Sequence, residues 1–455
     1  MNQQVQSVLS TTKSLCPVCF AQLPATRHRE GDAIYLVKSC PEHGTFRTVI
    51  WRDAPVFENW QRPKIPSTPQ KAFTQRDKGC PLDCGLCSNH KQHTCTALLE
   101  ITKRCNLHCP VCFADTSQTD GPLDPDLETI EFWYDRVLEA SGPCNIQISG
   151  GEPTVRKDLP DIIALGKRKG FPFLQLNTNG LQLAADPSYA MELKQAGLSS
   201  VFLQFDGTNE EVHRVLRGRN LCDIKEKAVH HCAQAELGIV LVPTLVPGVN
   251  IHEINAIVDF GVRNAPAVRG VHFQPVSYFG RYPTPPADRD RLTLPEVLAQ
   301  LERQSNGRIQ ASWFAPPACE HALCSFHASF LIDEENRLRP LSSGQSACCS
   351  TSEQSPISAR EGRQKSISFT ARQWSHPLPM AKPPGAATPL DDLDRFLLRA
   401  KTHTFSISAM AFQDIWNLDL ERVQGCCIHI VSPEGNLVPF CAYNITSSQG
   451  IALYR

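Results

Sequence analysis

From about residue 96, the chain alternates short apolar segments with longer amphipathic ones. The apolar segments are rich in Val, Ile, Leu or Phe, which is typical of strands buried on both faces. We predict strands at Ala97–Ile101, Asn145–Ser149, Phe173–Asn177, Ser200–Phe205, Ile239–Leu245 and Val271–Val276. Helical periodicity separates them at Leu127–Ala140, Asp161–Lys169, Ala190–Ala196, Ile224–Ala235 and Glu253–Val262. This alternation predicts an α/β fold in which six parallel strands form a partial barrel, with reactive groups at the C-terminal ends of the strands.

The regions outside this alternation differ from it in composition. We expect a metal-binding module over residues 1–62, a linker with a cysteine-rich segment over 63–95, the barrel over 96–290, and a C-terminal cysteine-bearing region over 291–455. Within the last region, residues 341–390 are rich in Ser, Pro and Gly, which predicts a long loop or a partly disordered insertion. Order returns after it, with a helix beginning near Asp391 and a hairpin that turns at Pro433–Gly435.

Charge and cysteine content narrow the class of protein. The chain has 455 residues and a net charge of −1, which argues against a surface that binds nucleic acid. No apolar run is long enough to span a membrane, and the N-terminus lacks the basic start and apolar run of a secretory signal. We therefore expect a cytoplasmic protein, whose 20 cysteines stay reduced and bind metals rather than form disulfides.

The first candidate site is the stretch CNLHCPVCF, just after the first predicted strand. Its cysteines, Cys105, Cys109 and Cys112, are spaced so that three thiolates bind three irons of a [4Fe–4S] cluster. The fourth iron then has no protein ligand and is open to a small molecule. The alternative is three buried, inert thiols, but a second copy of the same spacing upstream favours metal.

This spacing resembles that of the radical S-adenosylmethionine (SAM) enzymes. The resemblance implies that the amino and carboxylate groups of SAM bind the open iron, and that one electron cleaves SAM to a 5′-deoxyadenosyl radical. It also implies a partial (βα)6 radical SAM barrel and a catalytic role for Cys105, Cys109 and Cys112. Phe113 is expected to lie near the adenine. Reduced ferredoxin or flavodoxin is the electron donor that we expect.

The next candidate residues, in the motif SGGEP, follow the second predicted strand. Gly150 and Gly151 let the backbone approach a ligand closely, and Glu152 offers an acceptor for a cation. In radical SAM proteins this element binds the methionine ammonium group, so the resemblance implies the same role here. An ordinary strand–helix turn is the alternative.

Polar side chains also end the third and fourth predicted strands. Asn177 and Asn179 suit the carboxylate and ribose of SAM, although a capped turn would use the same residue types. Asp206 is a candidate for ribose hydroxyls or for substrate. Arg217 is a candidate for the SAM carboxylate, and its alternative is a solvated arginine at a helix end.

A second group of cysteines precedes the barrel. Cys80, Cys84 and Cys87 repeat the C-x3-C-x2-C spacing, and we expect Cys95 to close a [4Fe–4S] cluster with them. His90 and His93 are alternative fourth ligands, in which case Cys95 is structural. A closed cluster of this kind would carry electrons.

The N-terminal module carries a pair of metal knuckles. Cys16 and Cys19 form the first, and Cys40 and His43 form the second, a spacing that fits a tetrahedral Zn or Fe site. So small a module needs metal to fold, because it buries little apolar surface. A plain turn at PEHG is the alternative for His43.

The last cysteines lie near the C-terminus. We expect a further cluster with Cys319, Cys324, Cys441 and one of the adjacent pair Cys426 and Cys427. Neighbouring side chains on a strand point to opposite faces, so only one of the pair joins the site, and we select Cys427. His321 and His429 are alternative ligands that could replace one of these cysteines.

Several motifs together resemble one radical SAM subfamily. They are an N-terminal C-x2-C…C-P-x-H-G module, two C-x3-C-x2-C motifs and a terminal PFCAYN. The subfamily contains tetraether-lipid synthases and enzymes that methylate a 6-hydroxymethyl-dihydropterin. It implies a SAM-binding [4Fe–4S] cluster, one or two auxiliary [4Fe–4S] clusters that act as a relay or substrate platform, and one mononuclear Fe or Zn.

The resemblance therefore leaves two alternative reactions, one on a lipid and one on another small-molecule substrate. We expect carbon–carbon bond formation on a lipid-like substrate, which predicts a long apolar tunnel. The alternative is methylation of a pterin-like heterocycle, which predicts a short polar pocket with stacking aromatic side chains. Peptide modification is a third option. A non-catalytic iron–sulfur protein is a fourth, and the Gly-Gly-Glu motif argues against it.

Overall fold

The structure is a computed structural model that describes residues 7–52, 55–110, 112–114, 124–282, 284–341, 356–377 and 391–455. Its N-terminal part is an antiparallel four-stranded sheet in the order β1-β2-β3-β4. The strands are β1 (Ser7–Leu15), β2 (Gln22–Glu30), β3 (Ala33–Cys40) and β4 (Gly44–Arg52). The turns between β1 and β2 and between β3 and β4 carry the two metal knuckles.

The predicted barrel strands are all present. A short strand β5 (Lys64–Ile65) comes first, followed by β6 (Thr96–Glu100), β7 (Asn145–Ser149), β8 (Phe173–Thr178), β9 (Ser200–Gln204), β10 (Gly238–Val242), β11 (Thr244–Leu245) and β12 (Val268–Pro275). The predicted strand Ile239–Leu245 is split at Pro243, because proline has no N–H for the ladder. The α/β fold and its partial barrel are confirmed.

Helices connect these strands and cover the outer face of the sheet. They are α1 (Leu127–Ser141), α2 (Leu159–Arg168), α3 (Leu181–Ala185), α4 (Pro187–Ala196), α5 (Glu210–Arg217), α6 (Cys222–Gln234), α7 (Ile254–Arg263) and α8 (Leu294–Gln304). Along β7, Ile146 and Ile148 are fully buried in the main apolar core, whereas Asn145 and Gln147 line a cavity on the other face. The barrel interior is thus more polar than its exterior.

The C-terminal part of the chain completes the same sheet. It contains β13 (Ser325–Ile332), β14 (Leu338–Pro340), β15 (Ile357–Ser358), α9 (Ala359–Trp374), α10 (Asp392–Thr402), β16 (Thr404–Met410), α11 (Leu420–Gln424), β17 (Ile428–Val431), β18 (Leu437–Pro439) and α12 (Phe440–Asn444). The predicted helix and hairpin are α10 and β17–β18.

The strand order shows how the C-terminal strands add to the barrel. The 12-stranded sheet runs β14-β13-β16-β12-β10-β9-β8-β7-β6-β17-β18, and β11 pairs with β12. Strand β16 is parallel to β12, and β17 is parallel to β6. Strands β13, β14, β16, β17 and β18 therefore share one sheet with the barrel, whereas β15 pairs with β5 in a separate two-stranded sheet.

The polar segment 341–390 contains ordered structure that its composition did not predict. Residues 359–374 form helix α9, and Ala359, Gly362 and Ile367 are among its buried residues. This corrects the expectation of a loop or disordered insertion for that part of the segment. Residues 342–355 and 378–390 lie outside the described residues.

No helix in the described part of the chain is long and apolar enough to cross a membrane.

Candidate active site

One cavity occupies the inside of the barrel. Its volume is about 540 Å³, which is within the usual range for small-molecule sites. At the C-terminal ends of the strands it reaches Cys105, Cys109 and Cys112. At the opposite end it reaches Cys95 and Cys319. The cavity thus connects two groups of thiols through the length of the barrel.

The three-cysteine loop, which carries Cys105, Cys109 and Cys112, follows β6 directly. Burial raises the pKa of the Cys105 thiol to about 11, and the nearby charges of Glu152, Cys109 and Cys112 add to the shift. The backbone N–H of Leu107 donates to Cys105 Sγ at 3.4 Å. All three thiols line the cavity, as expected for residues at the C-terminal end of a barrel strand.

The Gly-Gly-Glu motif packs against the start of this loop. Gly150 has φ of +124°, and a Cβ there would lie 2.3 Å from the Thr102 carbonyl oxygen. The Gly151 N–H donates to the same carbonyl at 2.8 Å. Gly150 is therefore required because two backbone segments meet, a contact that brings Glu152 beside Cys105. Both glycines also line the cavity.

The Glu152 carboxylate is buried in the cavity wall and held by neutral donors. Thr154 donates from its backbone N–H at 3.1 Å and its hydroxyl at 2.7 Å. The Thr178 hydroxyl and the Asn179 backbone N–H donate at 2.7 Å each. Burial still raises the pKa of Glu152, because these neutral donors do not cancel its charge. Such a group is suited to a cationic ligand.

Two asparagines at the end of β8 also reach the cavity. Asn179 donates from Nδ2 to Asn106 Oδ1 at 2.7 Å, so it is held against the three-cysteine loop. Asn177 donates from Nδ2 to Ser149 Oγ at 3.4 Å, while its Oδ1 is buried without a hydrogen-bond partner in the described structure. Asn177 is therefore the member of the pair with free acceptor capacity.

Arg217 lies at the cavity wall and Asp206 lies behind it. Two nitrogens of Arg217 donate to the two oxygens of Asp206 at 2.7 Å each, and the Thr244 N–H donates to Asp206 Oδ1 at 3.0 Å. Burial opposes ionisation of Asp206, but the charge of Arg217 outweighs it and lowers the Asp206 pKa. Burial opposes the charge of Arg217, but Asp206, with a smaller contribution from nearby Cys109, raises the pKa of Arg217.

The position of Asp206 corrects the expectation that it contacts ribose hydroxyls or substrate. Its side chain is 0% exposed, it does not line the cavity, and both of its oxygens are occupied. The sequence placed it correctly at a strand end but gave no indication that Arg217 would cover it.

Phe113 lies beside the last cysteine of the loop and is 38% exposed. Its ring centroid is 6.0 Å from that of Phe440, and the Arg455 guanidinium lies 5.9 Å above it. Phe113 and Phe440 both line the cavity. An aromatic face is thus available at the end of the cavity where the three-cysteine loop lies.

The N-terminal knuckles form one compact ligand set. The ligand atoms of Cys16, Cys19, Cys40 and His43 all lie within 4.8 Å of one another. The hydrogen bond to His43 lowers the pKa of the Cys40 thiol to about 7. This arrangement fits a single tetrahedral metal ion.

Cys80, Cys84 and Cys87 lie together, but Cys95 is elsewhere. A hydrogen bond with Cys80, burial and the charge of Cys87 all raise the pKa of Cys84. The sulfurs of Cys95, Cys319 and Cys427 lie within 4.8 Å of one another. This corrects the expected grouping of Cys95 with the upstream cysteines. The physical reason is the pairing of β17 with β6, because each strand is preceded directly by one of these cysteines.

The expected C-terminal group is likewise divided. Cys319 and Cys427 join Cys95, whereas Cys324 and Cys441 are not part of that group. Burial raises the pKa of Cys426, and the nearby charges of Cys441 and Cys324 add to the shift. Burial raises the pKa of the Cys441 thiol to about 12, with a contribution from the charge of Cys324. Of the adjacent pair, Cys427 lies with Cys95 and Cys319, and Cys426 is not part of that group. This corrects the single four-cysteine site.

The histidines considered as alternative ligands bond to other protein groups. His90 and His429 face each other with 3.2 Å between their Nε2 atoms. His90 Nε2 also lies 2.7 Å from the Cys426 carbonyl oxygen. His93 Nε2 lies 2.8 Å from the Ser67 hydroxyl, and His321 Nδ1 accepts from the Leu323 N–H at 3.2 Å.

Sequence reasoning missed several residues that line the cavity. Glu320 is next to Cys319 in the chain, and its Oε2 lies 4.0 Å from Cys427 Sγ. Gln147 and Gln175 face the cavity from the middle of β7 and β8. Gln147 lies between Ile146 and Ile148, and Gln175 lies between Leu174 and Leu176. That signal was available in the sequence. Nothing in the polar segment indicated that Trp374 would line the cavity.

Comparison with known proteins identifies the two parts of the chain. Residues 8–52 match the HMPTM N-terminal zinc ribbon domain, and residues 99–261 match the radical SAM superfamily. A solved structure of Streptococcus suis SuiB bound to precursor peptide SuiA is 15% identical, with a TM-score of 0.40 over 48% of this chain and 46% of that one.

Similarity to one curated protein covers nearly the whole chain. The chain is 34% identical to 7,8-dihydro-6-hydroxymethylpterin dimethyltransferase of Methanocaldococcus jannaschii, over 97% of this chain and 94% of that protein. It is 31% identical to a probable GTP 3′,8-cyclase of Archaeoglobus fulgidus, over 36% of this chain and 53% of that protein. The chain therefore belongs to the radical SAM superfamily, whose enzymes use a [4Fe–4S] cluster and SAM, and within it to the family of the Methanocaldococcus jannaschii protein.

Proposed function

We propose that this radical SAM enzyme methylates a pterin-like heterocycle held inside the barrel cavity. The observation that carries the proposal is the similarity, over 97% of the chain, to a 7,8-dihydro-6-hydroxymethylpterin dimethyltransferase. When bound, the cluster and SAM supply a 5′-deoxyadenosyl radical that abstracts hydrogen from an unactivated carbon. The residues of this chain bind and orient the reactants.

The three-cysteine loop is the proposed ligand set of the SAM-binding cluster. Its thiols lie at the C-terminal end of β6 and open onto the cavity, where reactive groups of barrel enzymes are found. Three thiolates leave one iron open to SAM. The contact of Gly150 with Thr102 holds the three-cysteine loop against the C-terminal end of β7. The proposed ligands of the cluster and of SAM are therefore fixed relative to each other.

The polar groups around the loop match the ends of SAM. Glu152, a buried carboxylate without a cationic hydrogen-bond partner in the described structure, is the proposed acceptor for the methionine ammonium group. Arg217, which lines the cavity together with Cys109, is the proposed donor to the carboxylate. Asn177 and Asn179 are proposed to bind the remaining polar groups, and Phe113 to pack near the adenine.

The cavity lining supports a heterocycle more than a lipid chain. The interior carries carboxamides from Asn145, Gln147, Gln175, Asn177 and Gln204. A lipid chain would leave Asn145 Oδ1 and Asn177 Oδ1, which have no hydrogen-bond partner in the described structure, unsatisfied at a cost of about 1–3 kcal/mol each. Carbon–carbon bond formation on a lipid-like substrate stays a prediction.

The charges in the cavity also disfavour a nucleoside triphosphate, the substrate class in the name of the cyclase relative. Such a ligand needs several cations, and the only ones that line the described cavity are Arg62, Arg217 and Lys365. Arg217 is the proposed partner of the SAM carboxylate, and Lys365 is paired with Glu361. A neutral ring system fits this distribution better.

The remaining cysteine groups are proposed to hold one or two auxiliary [4Fe–4S] clusters and one mononuclear ion. Cys95, Cys319 and Cys427 lie at the far end of the cavity, and Cys80, Cys84 and Cys87 form a separate group. The N-terminal knuckles are proposed to bind Zn or Fe. A reduced ferredoxin or flavodoxin is proposed as the electron donor.

Product analysis tests the proposed function. The enzyme, reconstituted anaerobically with iron and sulfide, is reduced and incubated with SAM, cell extract as a source of methyl groups, and one of three substrates. We expect a mass increase of one or two methylene units on 7,8-dihydro-6-hydroxymethylpterin, and no product from GTP or from a diether lipid. Product from the lipid alone would overturn the proposal.

A further inference from the structure

Helix α9 closes the N-terminal end of the barrel. The Arg363 guanidinium donates to the backbone carbonyls of Thr94 at 2.6 Å and of Ser141 and Pro143 at 2.9 Å each, close to the starts of β6 and β7. At the other end of the helix, a Cβ on Gly238 would lie 2.1 Å from the Trp374 carbonyl oxygen. Gly238 is the first residue of β10, so α9 extends across the barrel from β6 to β10.

One face of α9 forms part of the cavity wall. Ser366, Phe369, Thr370 and Trp374 all line the cavity. Their spacing of three and four residues places them on a single side of the helix. The helix therefore contributes side chains to the cavity in addition to covering it.

Trp374 belongs to a cluster of three rings. Its ring centroid lies 5.6 Å from that of Phe202 and 6.0 Å from that of His272, and the last two are 5.5 Å apart. Trp374 Nε1 donates to Ser406 Oγ at 3.2 Å, which holds the indole in place. All three rings line the cavity and provide an aromatic wall.

A directed chain of hydrogen bonds ends at Gln147. Ser200 Oγ donates to the Gly238 carbonyl at 3.1 Å and accepts from Gln175 Nε2 at 3.3 Å. Gln175 Oε1 in turn accepts from Gln147 Nε2 at 2.8 Å. This chain fixes the orientation of both amides. It leaves Gln147 Oε1 as an acceptor with no partner among the described residues.

A second unpartnered acceptor lies on the same strand. Asn145 is 2% exposed and lines the cavity, and its Oδ1 has no hydrogen-bond partner in the described structure. Buried acceptors without partners are uncommon in folded proteins. Both acceptors are on β7, so a ligand with more than one N–H group could satisfy them together.

The two histidines in the described lining of the cavity are neutral near pH 7. Burial lowers the pKa of His272 to about 4 and that of His327 to about 4, so both imidazoles are neutral near pH 7. The charged side chains in the described lining are Arg62, Glu152, Arg217, Glu320 and Lys365. Glu152 and Arg217 lie with the three-cysteine loop, and Glu320 lies beside Cys319, at the opposite end.

We propose that Trp374, His272, Phe202 and Gln147 form the recognition site for a planar, uncharged heterocycle whose edge carries N–H donors. The aromatic wall stacks on the ring face, and the β7 acceptors bind the amino and ring N–H groups of a 2-amino-pyrimidinone. This inference rests on the proposed function and deepens it, because it names the residues that select the substrate. It also gives the polar segment a role in specificity.

Equilibrium binding to the reconstituted enzyme, without reductant, tests this site. The probes are 7,8-dihydro-6-hydroxymethylpterin and its lumazine counterpart, in which oxygen replaces the 2-amino group. Trp374→Leu should weaken binding of both probes roughly tenfold. Gln147→Leu should weaken binding of the pterin roughly tenfold and reduce the preference for pterin over lumazine by a similar factor.

Two control variants accompany these measurements. Gln364→Leu changes an exposed glutamine of α9, and Trp313→Leu changes a tryptophan that does not line the cavity; both should bind as wild type. The proposal is overturned if Trp374→Leu binds as wild type, or if Gln147→Leu keeps the wild-type preference between the probes. In that case, product formation by the wild type would still uphold the proposed function. A wild type that neither binds nor methylates the pterin would overturn both.

Discussion

Arg217 and Asp206 form a buried, two-pronged ion pair at the wall of the cavity, with both N–O distances at 2.7 Å. The side chains are 9% and 0% exposed. Such a pair fixes the direction of the guanidinium, and Arg217 lines the cavity together with Cys109. Asp206 therefore acts on SAM through Arg217 in this account.

The first prediction concerns this pair. Asp206→Asn removes the partner charge and leaves Arg217 buried without compensation, which costs about 3–5 kcal/mol of unfolding free energy for pairs of this kind. We expect a lower denaturation midpoint and a weaker affinity for SAM. Glu210→Gln breaks the exposed Arg214–Glu210 pair and should cost at most about 1 kcal/mol. If the two substitutions lowered the denaturation midpoint and the SAM affinity equally, the result would contradict the role given to Asp206.

The second prediction concerns the contact between Gly150 and Thr102. Gly150→Ala should separate the Gly-Gly-Glu turn from the three-cysteine loop, since the new Cβ would lie 2.3 Å from a backbone oxygen. We expect SAM binding, measured by equilibrium dialysis, to weaken at least about tenfold, equivalent to roughly 1.4 kcal/mol. Gly142→Ala is the matched control: it also has a positive φ, of +71°, but nothing lies within 4 Å of its Cβ position. It should leave SAM binding unchanged.

The third prediction concerns the tie between the C-terminal segment and the Cys80–Cys87 group. The Tyr454 hydroxyl accepts from the Cys84 N–H at 2.8 Å and donates to the Pro81 carbonyl at 2.6 Å. Tyr454→Phe leaves that N–H without its partner, at a cost of about 1–3 kcal/mol. We expect the electron paramagnetic resonance signal of one auxiliary cluster to change, while the signal that responds to SAM does not.

Tyr282→Phe is the control for this prediction. Its hydroxyl makes a longer bond, 3.4 Å to the Ser447 carbonyl, and it is not attached to a cysteine. We expect its spectrum to match that of wild type. A Tyr454→Phe spectrum that matches as well would show that the contact does not affect a metal site.

The fourth prediction is a dependence of stability on pH. Burial lowers the pKa of His272 from 6.5 to about 4 in the folded protein. Between these pH values the unfolded chain binds a proton that the folded protein does not. The free energy of unfolding should therefore fall as pH is lowered through this window, by up to about 1.4 kcal/mol per pH unit for this histidine. Above pH 6.5 it contributes no slope.

Denaturant titrations of wild type and His272→Gln at several pH values check this. The variant should show a smaller loss of stability between pH 6.5 and about 4, and His327→Gln, whose pKa is also about 4, should behave in the same way. Loss of metal at acid pH affects all three proteins. The difference between their slopes of unfolding free energy against pH therefore reports the contribution of each histidine. Identical slopes would show that the imidazoles are not held neutral by burial.

Local sequence patterns were sufficient to predict the barrel and the residues around the three-cysteine loop. Strand β7 was predicted at Asn145–Ser149, the bounds that the structure shows, because apolar residues alternate there between turn signals. Cys105, Glu152 and Asn179 are close in the structure because each follows a neighbouring parallel strand. These positions could be predicted because each residue directly follows a strand that is recognisable from its own local sequence.

Features that depend on long-range pairing could not be predicted. Cys95 was grouped with Cys80–Cys87 because they are near in sequence, but its actual neighbour Cys427 is brought to it by β17 pairing with β6. Helix α9 has a polar sequence, and it is anchored by Arg363 bonding to distant backbone carbonyls rather than by an apolar stripe. Neither contact leaves a local signal.

The most direct test of the central claim is the release of 5′-deoxyadenosine by the reduced, reconstituted enzyme with SAM, the dihydropterin and cell extract as the source of methyl groups. Wild type and Cys232→Ala, which changes a buried thiol of α6, should release it and form methylated pterin. Cys109→Ala should release none and form no product. Release by Cys109→Ala at the wild-type rate would contradict the account, because the three-cysteine loop would then not hold the cluster that cleaves SAM.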